Sequence, residues 1–218
     1  MPRKFKLAAF DLDGTLTEGD PSWVMIHKKF GTLNVGEEGE RLYSQGLITY
    51  RDFILRDISA WPKPLRKEEL IDALRNYRLR NDAYNVIKFF REKGMKIAIL
   101  TAALDLMADE IANKVGADYV FSNSLGFDSR GFFNGKVEAR VEPLKKHLLL
   151  EDITGKIGIR KDEVIAVGDS NYDLSFLKAA GLGFLIGNSK LAADNGIIPV
   201  RELSEIVDYV SKLNKGFR

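Results

Sequence analysis

The chain contains no cysteine, and only two histidines and six prolines stand among its 218 residues. Without cysteine there is no disulfide, no thiolate nucleophile and no zinc–thiolate centre. His27 and His147 lie far apart, and neither has a partner at metal-ligand spacing, so each is expected to be an ordinary surface or cap residue. Neither sign of charge is in excess. The 33 Lys and Arg against 31 Asp and Glu leave a net charge of +2, which predicts no strong attraction to nucleic acid or to an anionic membrane. Long apolar runs are missing too. A membrane helix needs roughly 18 or more such residues, and the run over 97–104 stops at Asp105. The stretch from Phe5 to Phe10 is too short for a secretory signal and leads at once into a carboxylate pair. The expectation is a cytoplasmic protein, monomeric or homodimeric.

What is present reads as an α/β chain. The 45% hydrophobic content is ordinary, and the length allows a core domain plus a smaller inserted one. Short apolar runs at 7–10, 96–100, 119–121, 163–167, 183–186 and 197–200 lack polar alternation, as strands buried on both faces do. Helical patterns fill the spaces at 81–93, 105–115, 144–157, 171–180 and 201–213, and several stop at Gly94, Gly116 or Gly181. The alternation predicts a doubly wound, Rossmann-like parallel sheet. Two segments break it. Residues 17–80 show no buried-strand pattern but three amphipathic helical stretches, at 23–30, 50–58 and 65–77. Residues 122–141 are rich in Gly, Ser and Asn, and 127–132 reads as the turn of a small hairpin flap. The predicted division is a core of residues 1–17 and 80–218 with a helical domain, 18–79, inserted after the first strand.

Four local features carry chemistry. Asp11-Leu12-Asp13-Gly14-Thr15 ends the first strand, where ligands bind in open α/β sheets. Carboxylates two residues apart on extended chain point the same way. Crowding them costs energy unless a cation binds or one is protonated. Gly14 lets the backbone come close to a ligand. Gly168-Asp169-Ser170-Asn171-Tyr172-Asp173 follows another buried strand, and Asp169 and Asp173 share a side if a helix begins there. Thr101, followed by Ala102, follows the second strand; a hydroxyl with free backbone N–H groups makes an anion cradle. Lys145 and Lys146 open the helix before the fourth strand. Read alone, the threonine is a helix cap and the lysines are a solvated face.

The order of these features is the informative part. Asp-x-Asp-Gly-Thr, Thr, Lys and Gly-Asp-x-x-x-Asp, each at a strand end or helix start, resembles the haloacid dehalogenase superfamily over residues 5–17 and 81–200. The resemblance implies a phosphatase that acts on a small phosphomonoester and depends on Mg²⁺. In such an enzyme Asp11 attacks phosphorus and becomes an aspartyl phosphate, while Asp13 protonates the leaving alcohol and activates water. It assigns Mg²⁺ to Asp11, Asp13 through its carbonyl, and Asp169, with Asp173 beside the metal or orienting the lysine. Thr101 and the Ala102 N–H would hold phosphate, and Lys146, or else Lys145, would pair with nucleophile and phosphate.

The helical insert is similar to the cap of the phosphoserine phosphatase-like branch, which closes over the site and selects substrate. That resemblance points to Glu18 or Asp20 for a substrate amino group and to Arg51 or Arg56 for a carboxylate. Asn171 joins the substrate-binding candidates. The chain departs from the branch at Ala102 and Ala103, where glycines are usual, and at Tyr172, where Asn is usual. Trp23 and Trp61 are expected in the core of the insert. A phosphomutase or other phosphotransferase, and a non-catalytic protein that binds a phospho-ligand, are the alternatives.

Overall fold

Leu7–Phe10 form β1, and all four residues are fully buried. Their alternation sorts two cores. Leu7 and Ala9 face one side of the sheet, and Ala8 and Phe10 face the other. Both faces are apolar because both are covered, which is why the run does not alternate in polarity. The computed structural model describes residues 5–215, so the outermost parts of the expected core, 1–4 and 216–218, lie outside the described residues.

After β1 come a two-residue strand, β2 (Thr17–Glu18), and four helices: α1 (Ser22–Phe30), α2 (Leu33–Ser44), α3 (Tyr50–Ala60) and α4 (Lys67–Leu74). Strand β3 (Arg78–Leu79) then pairs antiparallel with β2, so the chain leaves and rejoins the sheet through one small ribbon. The expected boundaries at 17/18 and 79/80 fall on that ribbon. Helix α5 (Ala83–Glu92), β4 (Lys96–Leu104), α6 (Asp105–Val115), β5 (Tyr119–Phe127) and β6 (Phe133–Glu138) follow. The second half contributes α7 (Lys146–Ile157), β7 (Val164–Gly168), α8 (Leu174–Ala179), β8 (Leu182–Ile186), α9 (Ser189–Asp194), β9 (Ile198–Val200) and α10 (Ser204–Lys215).

The large sheet runs β6-β5-β4-β1-β7-β8-β9, parallel except for the β5–β6 pair. Helices α5, α6 and α10 pack on the Phe10 face and α7 and α8 on the Leu7 face. This is the doubly wound architecture the sequence predicts. The hairpin predicted at 127–132 exists, with Asp128–Phe132 hydrogen bonding across the turn.

The differences are local. Strand β5 runs six residues past the predicted 121, because antiparallel pairing with β6 supplies hydrogen bonds to a stretch that is weakly apolar. Strand β4 continues to Leu104 with a register shift after Leu100. Helix α2 was not predicted. Its Gly36 and Gly39 weaken any helical reading, yet both are needed. A Cβ at Gly36 would meet the His27 ring at 2.6 Å, and one at Gly39 would meet Phe53 at 2.7 Å.

Strand order places the chemistry. β4 lies on one side of β1 and β7 on the other, and Phe10 is level with Ile99 and with Val167. The chain reverses its direction of travel across the sheet beside β1, which is where open α/β sheets form their crevice. Asp11, Thr101 and Asp169 therefore emerge side by side.

Candidate active site

Asp11 is the first residue beyond β1, and its backbone N–H still donates to Val167 O. Its carboxylate Oδ1 accepts from Lys146 Nζ at 2.6 Å. The same Nζ donates to Asp173 Oδ1 at 2.7 Å, and the ammonium is 3% exposed. Of the two candidate lysines, Lys146 is the buried one. Lys145 lies at the surface, paired with Glu142 at 3.0 Å. Lys146 is placed by a short 3-10 turn at Pro143–Lys145, and α7 begins at the lysine itself.

Asp173 is saturated. Besides Lys146, its Oδ2 accepts from the backbone N–H of Asp169 and from the N–H and hydroxyl of Ser170, at 3.0–3.1 Å. Gly168 makes room for it, since a Cβ there would fall 2.4 Å from Asp173 Cβ. Asp169 accepts from Thr15 Oγ1 at 3.0 Å. Asp13 Oδ2 accepts from Ser22 Oγ at 2.5 Å, while Asp13 Oδ1 is buried with no partner among the described residues. Thr101 Oγ1 accepts from the Ala103 N–H at 3.0 Å. The Ala102 carbonyl is pinned by Trp23 Nε1 at 3.0 Å and Asn123 Nδ2 at 2.9 Å.

One carboxylate oxygen from each of Asp11, Asp169 and Asp173 can be chosen so that all lie within 4.8 Å of one another. One ammonium does not neutralise this much charge. Burial, then the Asp173 and Asp169 charges, push the Asp11 carboxyl well above the usual range, although Lys146 opposes the shift. Burial and the Asp173 charge push Asp169 up to about 6. Burial also raises Asp13. Burial works against the charge on Lys146, but Asp11 and Asp173 outweigh it and hold the ammonium firmly protonated. Excess negative charge, hard oxygen donors and an orphaned Asp13 oxygen fit a divalent cation.

A sign follows for stability. Asp169 binds its proton more tightly in the folded chain than in the unfolded one. Folding therefore takes up protons between about pH 4 and 6, and stability falls as pH rises through that window. For Asp169 alone this amounts to at most about 3 kcal/mol. In EDTA, Asp169→Asn should raise the urea midpoint relative to wild type more at pH 7 than at pH 4.5. Added divalent cation should restore the neutral-pH value more than the acidic one.

Gly14 has φ +78°, and a Cβ there would lie 2.2 Å from Asp169 Oδ2. Gly14→Ala is expected to displace Asp169 and cut turnover by about 10²-fold or more, because small misplacements of reacting groups cost that much. Turnover within about twofold of wild type would contradict the role given to this contact.

A cavity of about 280 Å³ lies over these groups. Its floor is Asp11, Asp13, Thr101, Ala102, Lys146 and Asp169. Its roof comes from α1–α3 through Trp23, Val24, Tyr43, Tyr50, Phe53, Ile54 and Asp57, with Glu40 and Tyr172 also lining it. Tyr43 stacks on Tyr172 across the two parts, with ring centroids 6.3 Å apart.

The remaining candidates fall elsewhere. Asp20 lies on the surface, paired with Lys28 at 2.6 Å. Arg56 and Asn171 are exposed, and neither lines the cavity. Arg51 and Glu18 are outside the lining as well. His27 is not a surface residue: it is 2% exposed, with Nδ1 2.7 Å from Thr32 Oγ1 and Nε2 3.3 Å from Asp57 Oδ2. Sequence reasoning missed Arg80, whose guanidinium donates to the carbonyls of Gly14 and Thr15 and so braces the loop after β1. It also missed Ser22, Tyr50 and Asp57. Asp57 had a signal, since it falls on the buried stripe of α3 with Tyr50, Ile54 and Ile58.

An aspartate at the end of the central strand, faced by a buried ammonium and a second carboxylate, makes a charged centre in the crevice of the sheet. The comparisons carry this to a family: the chain belongs to the haloacid dehalogenase-like hydrolases, whose pattern it matches over residues 5–181. It is a phosphatase resembling phosphoserine phosphatases within that family. It is 28% identical over 216 residues to the phosphoserine phosphatase of Methanocaldococcus jannaschii, covering 96% of this chain and all of that one. It is 26% identical over 196 residues to that of Archaeoglobus fulgidus, covering 88% of this chain but 55% of that protein. A solved structure, a phospho-aspartyl intermediate analogue of phosphoserine phosphatase, superposes with TM-score 0.80 at 26% identity, over 94% of this chain and 99% of that one. No helix among the described residues is long and apolar enough to cross a membrane.

Proposed function

We propose that the chain hydrolyses a small phosphate monoester with Mg²⁺, taking the phosphoryl group onto Asp11, and that 18–79 acts as the cap domain that encloses the substrate. The observation that carries this reading is the Asp11–Lys146–Asp173 chain of hydrogen bonds on the cavity floor, with Asp13 beside it. Asp11, Asp169 and the Asp13 carbonyl would hold Mg²⁺, which when bound offsets the charge shared by carboxylates and phosphate.

The chain's own groups divide the rest of the work. Asp11 presents an oxygen to phosphorus while Lys146 holds its partner oxygen. Asp173, with both oxygens occupied, serves to aim Lys146. Thr101 Oγ1 and the Ala102 N–H donate to phosphate oxygens at the register shift of β4. Asp13, whose burial raises its pKa, gives a proton to the departing alcohol oxygen and then removes one from the attacking water. Ser22 keeps its carboxyl oriented. Trp23 and Tyr172 close the space around the ester and keep bulk water out.

Phosphate release from p-nitrophenyl phosphate and from a panel of small phosphomonoesters, in Mg²⁺ and in EDTA, tests the reading. Mg²⁺-dependent release is expected. Absence of release from every ester would contradict it. Asp13→Asn should lower kcat by about 10²–10⁴ with an alkyl phosphate and by much less with p-nitrophenyl phosphate, whose leaving group departs without a proton. Equal losses on both would remove the acid role from Asp13.

A further inference from the structure

The roof of the cavity has a chemistry of its own. Asp57 is 2% exposed and lines the cavity. His27 Nε2 lies 3.3 Å from Asp57 Oδ2 without a hydrogen bond to it, and Nε2 and Asp57 Oδ1 are both buried with no hydrogen-bond partner among the described residues. A buried carboxylate oxygen left unpaired is costly unless something arrives to meet it. Burial accordingly pushes the Asp57 carboxyl above its usual range. Tyr43, Tyr50, Phe53 and Trp23 line the same cavity, and Glu40, which accepts from Tyr172 Oη at 3.3 Å, adds a second acid to the lining. Tyr50 is tied to the floor, because Asn123 Nδ2 donates both to Tyr50 Oη at 2.7 Å and to the Ala102 carbonyl.

The cations are all at the other end. Among the lining residues the sole Lys or Arg is Lys146, already bound to Asp11 and Asp173. Among the described residues no arginine lines the cavity, and Arg51 and Arg56 are exposed on α3. A substrate carboxylate entering this roof would meet two acids and no free cation, which selects against it. An ammonium would meet a carboxylate with one oxygen unpartnered, and aromatic faces, the arrangement that recognises amines and quaternary ammonium groups.

We infer that the site takes phosphate monoesters of small amino alcohols that carry no carboxylate, with the ammonium seated against Asp57 among Tyr50, Tyr43 and Trp23. This rests on the phosphatase reading above. The likeness to phosphoserine phosphatases then extends to the catalytic floor and not to the specificity of the roof. His27 is a positioning residue that presents Asp57.

The experiment compares kcat/KM of the Mg²⁺-loaded protein for phosphoethanolamine, phosphocholine, phosphoserine and p-nitrophenyl phosphate. At least one of the two ammonium esters should exceed phosphoserine by about tenfold or more, as expected for a site that leaves one charge unpaired. In Asp57→Asn that ratio should collapse toward one, chiefly through KM, and Asp57→Glu should restore part of it. A merely structural role would lower all substrates together and leave the ratio unmoved. Equal or better use of phosphoserine by the wild-type protein overturns the inference, and that comparison does not depend on any variant folding. If no ester is turned over, p-nitrophenyl phosphate included, the phosphatase reading fails. Calorimetric binding of phosphoethanolamine against phosphoserine then decides the roof separately, and tighter phosphoserine binding overturns the assignment.

Discussion

Asp11→Asn is expected to lower phosphate release by about 10⁴-fold or more, the scale on which removal of a nucleophile is felt, while the protein remains folded. The loss is large because an amide oxygen is a poor nucleophile and no other carboxylate can take its place. Asp173 has both oxygens occupied, and Ser22 and Thr15 each orient one oxygen of Asp13 and Asp169 away from the place of Asp11 at the end of β1. The fold should survive because Asp11 is crowded by Asp173 and Asp169 and is already reluctant to ionise. A neutral side chain of the same shape relieves that repulsion. In EDTA the variant should unfold at a urea concentration equal to or above that of the wild type. Phosphate release and urea midpoints on the same preparation check both halves. Retained turnover would remove Asp11 from its role, and an unfolded variant would show that its part is structural.

The second large effect falls on stability. Lys146→Ala should cost about 3–5 kcal/mol at neutral pH, the usual result of stranding one side of a buried ion pair. Here the stranded side is two carboxylates, Asp11 and Asp173, with Asp169 adjacent. The size of the loss should shrink as pH falls, because these carboxyls escape by taking up protons. Urea unfolding in EDTA at pH 7.5 and pH 5 measures it. A loss under about 1 kcal/mol at the higher pH would place Lys146 in the range of surface pairs and contradict the buried geometry.

The core of this fold was legible because the sequence and the sheet share one logic. Residues 7–10 and 164–167 are apolar without alternation, and in the structure each is packed on both faces. Helix α6 came out at the predicted 105–115 because Gly116 closes it in the left-handed conformation, with φ +73°. The floor of the cavity was legible for a related reason. Asp11 and Asp169 lie one step beyond β1 and β7 and Lys146 starts α7, so for these groups local pattern and final position coincide. The order of the motifs singled these residues out together, and the structure brings Thr101 and Lys146 to one cavity with Asp11 and Asp169.

The roof was not legible in this way. Helix α2 is interrupted by two glycines and is fixed by the close approach of Gly36 to His27 of α1 and of Gly39 to Phe53 of α3, which no local window contains. Asp20 and Arg56 were reasonable by residue type and by distance along the chain. The turn of α3, however, sends Arg56 outward and Asp57 inward, a difference of one residue in helical phase. Arg80 was hidden for a similar reason, since its partners are backbone carbonyls 65 and 66 residues earlier in the chain.

The central claim is that the phosphoryl group passes through Asp11. Mixing the Mg²⁺-loaded protein with substrate, quenching in acid within the first turnovers, and mapping peptides by mass spectrometry tests it most directly. One added phosphoryl group on Asp11, absent in Asp11→Asn and lost on standing at neutral pH, is the predicted result. A phosphoryl group on any other residue, or turnover with no labelled peptide under conditions that trap an acyl phosphate, would contradict it.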